Sequence, residues 1–145
     1  MKNILVAIDL DPNTQQLVDY AIQLAKAFEA KLWLIHIAEA EPDFIGYSEG
    51  PQYIRDTFAK ELRDEHKAVQ SLCNQVKKEG LDAEGLMIQG PTIDMILQEA
   101  EKLKADLIIT ATHHRNFIYK AFIGSVSTEL FERSTIPLLA YPVGQ

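Results

Sequence analysis

Cysteine is nearly missing from this chain: Cys73 stands alone. An intrachain disulfide is therefore excluded, and so is a metal cage built from several thiolates. Lying among apolar positions at helical spacing, Cys73 is expected to be a buried, inert thiol. Basic residues are also short. Fourteen Lys and Arg against 21 Asp and Glu leave a net charge of -7, which argues against nucleic acid as a partner held by a general basic field. That deficit does not touch a single anionic ligand held locally by backbone amides. Long hydrophobic runs are absent too. The N-terminal run Ile4-Leu5-Val6-Ala7-Ile8 breaks at Asp9, too soon for a signal-peptide core or a membrane span. A cytoplasmic protein with no membrane partner is the expectation.

What remains is the balance of an ordinary globular protein, 47% apolar and 24% charged, and 145 residues suit one domain spanning 1–145 with a proper core. Four short apolar runs rich in β-branched residues read as strands: Ile4 to Ile8, Leu32 to Ile37, Leu107 to Ala111 and Ile136 to Tyr141. Their near-continuous hydrophobicity points to strands covered on both faces, as in parallel sheets. A weaker fifth runs from Glu84 to Gln89. Between them lie helical stripes. Leu17, Val18, Ala21, Ile22, Leu24, Ala25 and Phe28 form the first, with Asp11 as its expected cap and Pro12 at its first position. Ile54, Phe58, Leu62, Val69, Leu72, Cys73 and Val76 form a longer one that Gly80 stops. Ile93, Ile96, Leu97, Ala100 and Leu103 form a third, and Val126, Leu130 and Phe131 a short fourth starting near Ser125. Strands alternating with helices imply an α/β fold with right-handed crossovers and helices on both faces of a parallel sheet. The irregular stretch 39–52 is the one long loop, suited equally to a functional and to a plain surface role; its Phe44, Ile45 and Tyr47 suit docking of a protein, a lid over the pocket or packing against the long helix.

Open parallel sheets bind ligands beyond the carboxyl ends of their strands. The segments there are Asp9-Leu10-Asp11-Pro12-Asn13, Ala38-Glu39, Gly90-Pro91-Thr92 and Thr112-His113-His114-Arg115-Asn116. Gly124-Ser125-Val126-Ser127 then opens the last helix, where unpaired amides and the helix dipole favour an anion. From the pair alone a plainer reading is preferred, in which Ser125 or Ser127 caps the helix and Gly124 makes the turn. No G-x-G-x-x-G follows the first strand, and there is no Walker A sequence. A phosphoacceptor receiver domain would need aspartate and lysine where Gln89 and Tyr141 stand. His113 and His114 are adjacent, so their side chains diverge, and nothing marks an activated Ser or Cys. No catalytic residue is expected. Asp9 suits a ribose hydroxyl, a metal ion or a helix entry, and His36 reads as a buried structural histidine.

In five stretches, in order, the chain resembles the universal stress protein family over essentially its whole length. These are Asn3 to Asp9, Ala30 to Ile37, Ala105 to Ile109, Gly124 to Ser127, and Ile136 to Ala140. The resemblance implies a Rossmann-like, five-stranded parallel sheet in the order 3-2-1-4-5 and a homodimer through the last strand, residues 137–143. It implies ATP or AMP, with Mg, as the cofactor wherever the phosphate loop is intact. Family members that bind ATP carry glycine, two residues, glycine, nine residues, then glycine followed by serine or threonine. Laid on this sequence, those glycines fall at Ala111, His114 and Gly124, so two are replaced while Gly124 and Ser125 are kept. Ala and His hinder the close approach and positive φ that glycine permits. The resemblance assigns Asp9 to ribose or metal, the Ile37 backbone to adenine, and Gly124, Ser125, Val126 and Ser127 to phosphates. Ala111, His113 and His114 line the loop, with Thr112 and Arg115 as further donors. The implied function is a regulatory stress-response protein with weak or absent nucleotide binding, and the alternative is a nucleotide sensor or slow ATPase.

Overall fold

The computed structural model describes residues 1–38, 52–113 and 125–144. Elements alternate as β1 (Asn3–Ala7), α1 (Thr14–Phe28), β2 (Lys31–Ala38), α2 (Gln52–Lys78), β3 (Ala83–Gln89), α3 (Thr92–Lys102), β4 (Leu107–His113), α4 (Ser125–Arg133) and β5 (Leu138–Val143). The strands form one parallel sheet in the order β3-β2-β1-β4-β5. Every expected element is present, with ends displaced by a residue or two.

Two apolar layers sandwich the sheet because successive strand residues face opposite ways. Ile4, Val6, Leu32 and Leu34 point to one side, where Leu17, Val18 and Ala21 of α1 and Val69, Cys73 and Val76 of α2 complete the core. Leu5, Ile35 and Ile108 point to the other, against Ile93, Ile96 and Ala100 of α3 and Leu130 of α4. Strands buried on both faces account for the unbroken apolar runs in the sequence. Burial pushes the Cys73 thiol above its ordinary range, as expected of an inert cysteine.

Two details depart from the sequence pattern. Helix α1 starts at Thr14, not Pro12, because the Asp11 side chain accepts the Asn13 amide at 2.8 Å and closes a turn ahead of the helix. Phe28 and Phe131 fall at helical spacing with their apolar neighbours yet are half exposed, at 50% and 53%. Each lies in the last turn of its helix. Gly80 follows α2 at φ 85°, the left-handed turn that glycine makes without steric cost. Gly85 of β3 has a different role. A Cβ there would lie 2.7 Å from Val69 Cγ1, so the missing side chain is what lets α2 press onto the sheet.

Candidate functional site

The strand order places β1 between β2 and β4, and the chain leaves β1 toward β2 and only later crosses to β4. The order reverses at the carboxyl ends of β1 and β4, the usual ligand position in such sheets. Ala7 pairs with Ile35, and Val6 with Ile109. Continuing these registers past the end of β1 brings Asp9, Ile37 and Thr112 to the same level of the same edge. Sequence positions more than 100 residues apart thus meet at one rim.

Asp9 is exposed on that rim. Next to it Leu10 takes a left-handed backbone, φ 61°, which is costly for a residue with a side chain. Its side chain packs on the α1-side core, and this contact offsets the strain. Nothing in the sequence pattern signals that conformation. Among the described residues no group of three or more His, Cys, Asp and Glu side chains is placed to hold a metal ion.

Ile37 is half-buried on the α3 side of β2. Beside it a hollow is walled by His36, Ile37 and Ala38 of β2, by Phe58, Glu61, Leu62 and Glu65 of α2, and by Thr92 of α3. His36 is 9% exposed. Its Nδ1 lies 2.9 Å from the Ile8 carbonyl oxygen and its Nε2 lies 3.1 Å from Glu65 Oε2. His36 is therefore the buried structural histidine that its place in an apolar strand suggests. Glu65 was not singled out by the sequence reading, although a signal exists. It occupies a gap in the stripe of Phe58, Leu62, Val69, Leu72 and Val76, where an apolar residue would keep the 4-3-4 spacing.

Ala111 does not open a loop. It continues β4 in register with Tyr141, and the strand runs on through Thr112 and His113 opposite Pro142 and Val143. The Ala111 methyl packs against the α1-side core, and Tyr141 stacks on Tyr20 with ring centroids 4.5 Å apart. Helix α4 begins at Ser125, so Ser125, Val126 and Ser127 form its first turn. Arg133 at its other end donates to Asp94 of α3 at 2.7 Å and to Glu129 at 3.1 Å, and both bonds push its guanidinium pKa up. His114, Arg115, Gly124 and the stretch 39–51 lie outside the described residues.

Comparison with known proteins agrees with this geometry. The model of the universal stress protein family matches residues 1–142. The chain is 32% identical to universal stress protein A homolog 1 of Coxiella burnetii, over 96% of this chain and 94% of that one. Universal stress protein UspA from Lactobacillus plantarum superposes with a TM-score of 0.80 at 15% identity, covering 97% of both chains. A universal stress protein family protein from Arabidopsis thaliana with AMP bound superposes with a TM-score of 0.71 at 13% identity, covering 99% of this chain and 93% of that one.

Proposed function

The chain belongs to the universal stress protein family, and from that premise we propose a regulatory, non-catalytic cytoplasmic homodimer that holds an adenine nucleotide weakly at most. The observation that carries this reading is the course of β4. Where binding members of the family have the first loop glycine, Ala111 is still a strand residue, paired with β5 and packed into the core. A backbone committed to a ladder has little freedom to wrap a phosphate. His114 replaces the second glycine and adds bulk where a positive φ is wanted.

The ligand class is supported by the AMP bound to the Arabidopsis protein and by the shared rim of Asp9, Ile37 and the end of β4. On this reading Asp9 meets ribose, the Ile37 backbone meets adenine, and Gly124, Ser125, Val126 and Ser127 face the phosphates beside Ala111, His113 and His114. Magnesium fits only as a companion of the nucleotide. One carboxylate, Asp9, together with phosphate oxygens is an ordinary magnesium environment, whereas the described side chains alone offer no cage.

Calorimetric titration with AMP and ATP, with and without magnesium, tests the proposal. Weak or undetectable heat is expected. A dissociation constant of ~1 μM, about -8 kcal/mol, overturns it in favour of a nucleotide sensor or slow ATPase. One observation favours that second reading: α4 opens at Ser125, and the first turn of a helix favours an anion. If the lost glycine is what weakens binding, His114→Gly raises the affinity, and an unchanged affinity removes the steric explanation.

The dimer rests on β5, the sheet's edge strand, which carries half-buried Leu138, Ala140 and Tyr141. An apolar parallel edge is a pairing template that a second copy would cover. Sedimentation equilibrium should give twice the chain mass, and a monomer at high concentration refutes the placement.

A further inference from the structure

We infer that Leu10 is a positioning residue: its side chain anchors the end of β1 in a left-handed turn and thereby sets where Asp9 stands on the rim. The observation is a contrast. Among the described residues three that are not glycine have a positive φ, Leu10 at 61°, Glu29 at 54° and Lys104 at 54°. Glu29 ends α1, and its amide returns to the Ala25 carbonyl. Lys104 lies just past α3, and its amide returns to the Glu101 carbonyl at 3.1 Å. At a helix end the left-handed state satisfies carbonyls that would otherwise lack donors. Leu10 ends no helix. It bears the steric cost of that region at the carboxyl end of a strand, where there are no helix carbonyls to satisfy.

What compensates is the side chain. Leu10 is half-buried and packs on the α1-side core. Were φ to return to its ordinary negative range, Cβ would point elsewhere and that contact would be lost. Removing the contact should therefore release the turn.

The chain on either side is fixed. Before the turn, the Ile8 amide donates to the Ile35 carbonyl at 2.9 Å, and the Ile8 carbonyl oxygen lies 2.9 Å from His36 Nδ1. After it, the Asp11 carboxylate accepts the Asn13 amide at 2.8 Å, and the Asp11 carbonyl accepts the Thr14 amide at 3.1 Å. Only Asp9 and Leu10 lie between the last rung of the ladder and the turn that starts α1. Between fixed ends, a change of φ at Leu10 is absorbed next door, at Asp9, the exposed residue of the pair.

The carboxylate of the rim is on this account preset by the fold, not ordered by a ligand. That Asp9 then meets ribose or metal rests on the reading of the rim proposed above; the anchored turn does not.

The test uses the full chain without nucleotide and the variants Leu10→Met, Leu10→Gly and Leu10→Ala. Proton spectra of the parent should show a strong intraresidue cross-peak between the amide and Hα of Leu10, since a positive φ brings the two together. Leu10→Ala keeps Cβ and loses the anchor. Its cross-peak should weaken and its Asp9 signals shift, while those of Leu5, Leu32 and Ile109 stay. Leu10→Met reaches the same core and should restore the parent pattern. Leu10→Gly loses more side chain than Leu10→Ala, yet glycine takes the left-handed state without the steric cost. Its Asp9 signals should stay nearer the parent's, and its urea midpoint should exceed that of Leu10→Ala. Lost packing alone would rank the two the other way. Leu10→Ala with the parent's cross-peak and Asp9 signals overturns the proposal, and so does a Leu10→Gly less stable than Leu10→Ala. An AMP titration without heat strikes only the reading of the rim, so the two proposals fail separately.

Discussion

At the amino ends of the strands, side chains stitch neighbouring elements together. Asp106, ahead of β4, accepts the amides of Lys2 and Asn3 at 2.7 and 2.9 Å. Trp33 Nε1 donates to Asn3 Oδ1 at 3.1 Å, and the Lys31 ammonium sits 4.1 Å above the Trp33 ring while pairing with Glu84 at 3.2 Å. At the carboxyl ends the described contacts are of another kind. There the backbone holds a left-handed Leu10, Asp11 closes a turn, and a buried histidine stands between the Ile8 carbonyl and Glu65. One end spends its polar groups on holding strands in register. The other keeps them on loops and at helix starts, where a ligand can reach them.

That contrast can be broken or sharpened by substitution at each end. The largest effect is expected from Leu32→Ala at the start of β2. Leu32 is fully buried and registered between Ile4 and Ala83, and its removal should cost about 2–5 kcal/mol in a denaturant titration. Gly85→Ala comes next. Its methyl would meet Val69 Cγ1 at 2.7 Å and lift α2 from β3, at about 1–3 kcal/mol.

Asp106→Asn tests the stitching itself. The two backbone amides hold the Asp106 carboxyl below its ordinary range. Its contribution is therefore present above the unfolded aspartate value, ~3.9, and disappears as pH falls through the lower folded value. The variant should be less stable than the parent at neutral pH and equal to it in strong acid, with faster amide exchange at Lys2 and Asn3. The smallest effect on stability belongs to Asp9→Asn, within ~0.5 kcal/mol, because the side chain is exposed. If this rim is the ligand end, whatever nucleotide heat the parent shows should shrink in that variant. A large stability loss from Asp9→Asn would erase the distinction between the two ends.

Much of the molecule was legible beforehand. The apolar runs around Val6, Leu34 and Ile109 announce strands buried on both faces, and Gly80 announces the end of α2. The β1 rim at Asp9 and the α4 start at Ser125 follow from strand ends and a glycine-serine pair. The strand order came from the family resemblance, since short parallel strands can be ordered in several ways with the same hydrophobic pattern. The exposed faces of Phe28 and Phe131 were not legible, because periodicity marks an apolar position without saying whether anything packs over it.

The sequence by itself determined the element order, the α/β class and the apolar faces, because each depends on residues within a few positions of one another along the chain. Only the tertiary structure decided that Asp106 meets Lys2, that Ala111 stays in a ladder with Tyr141, and that His36 stands between Ile8 and Glu65. Those partners are brought together by crossovers of 28 to 104 residues. A donor's need for an acceptor is written in its own chemistry, but which acceptor it meets is set by where the rest of the chain returns.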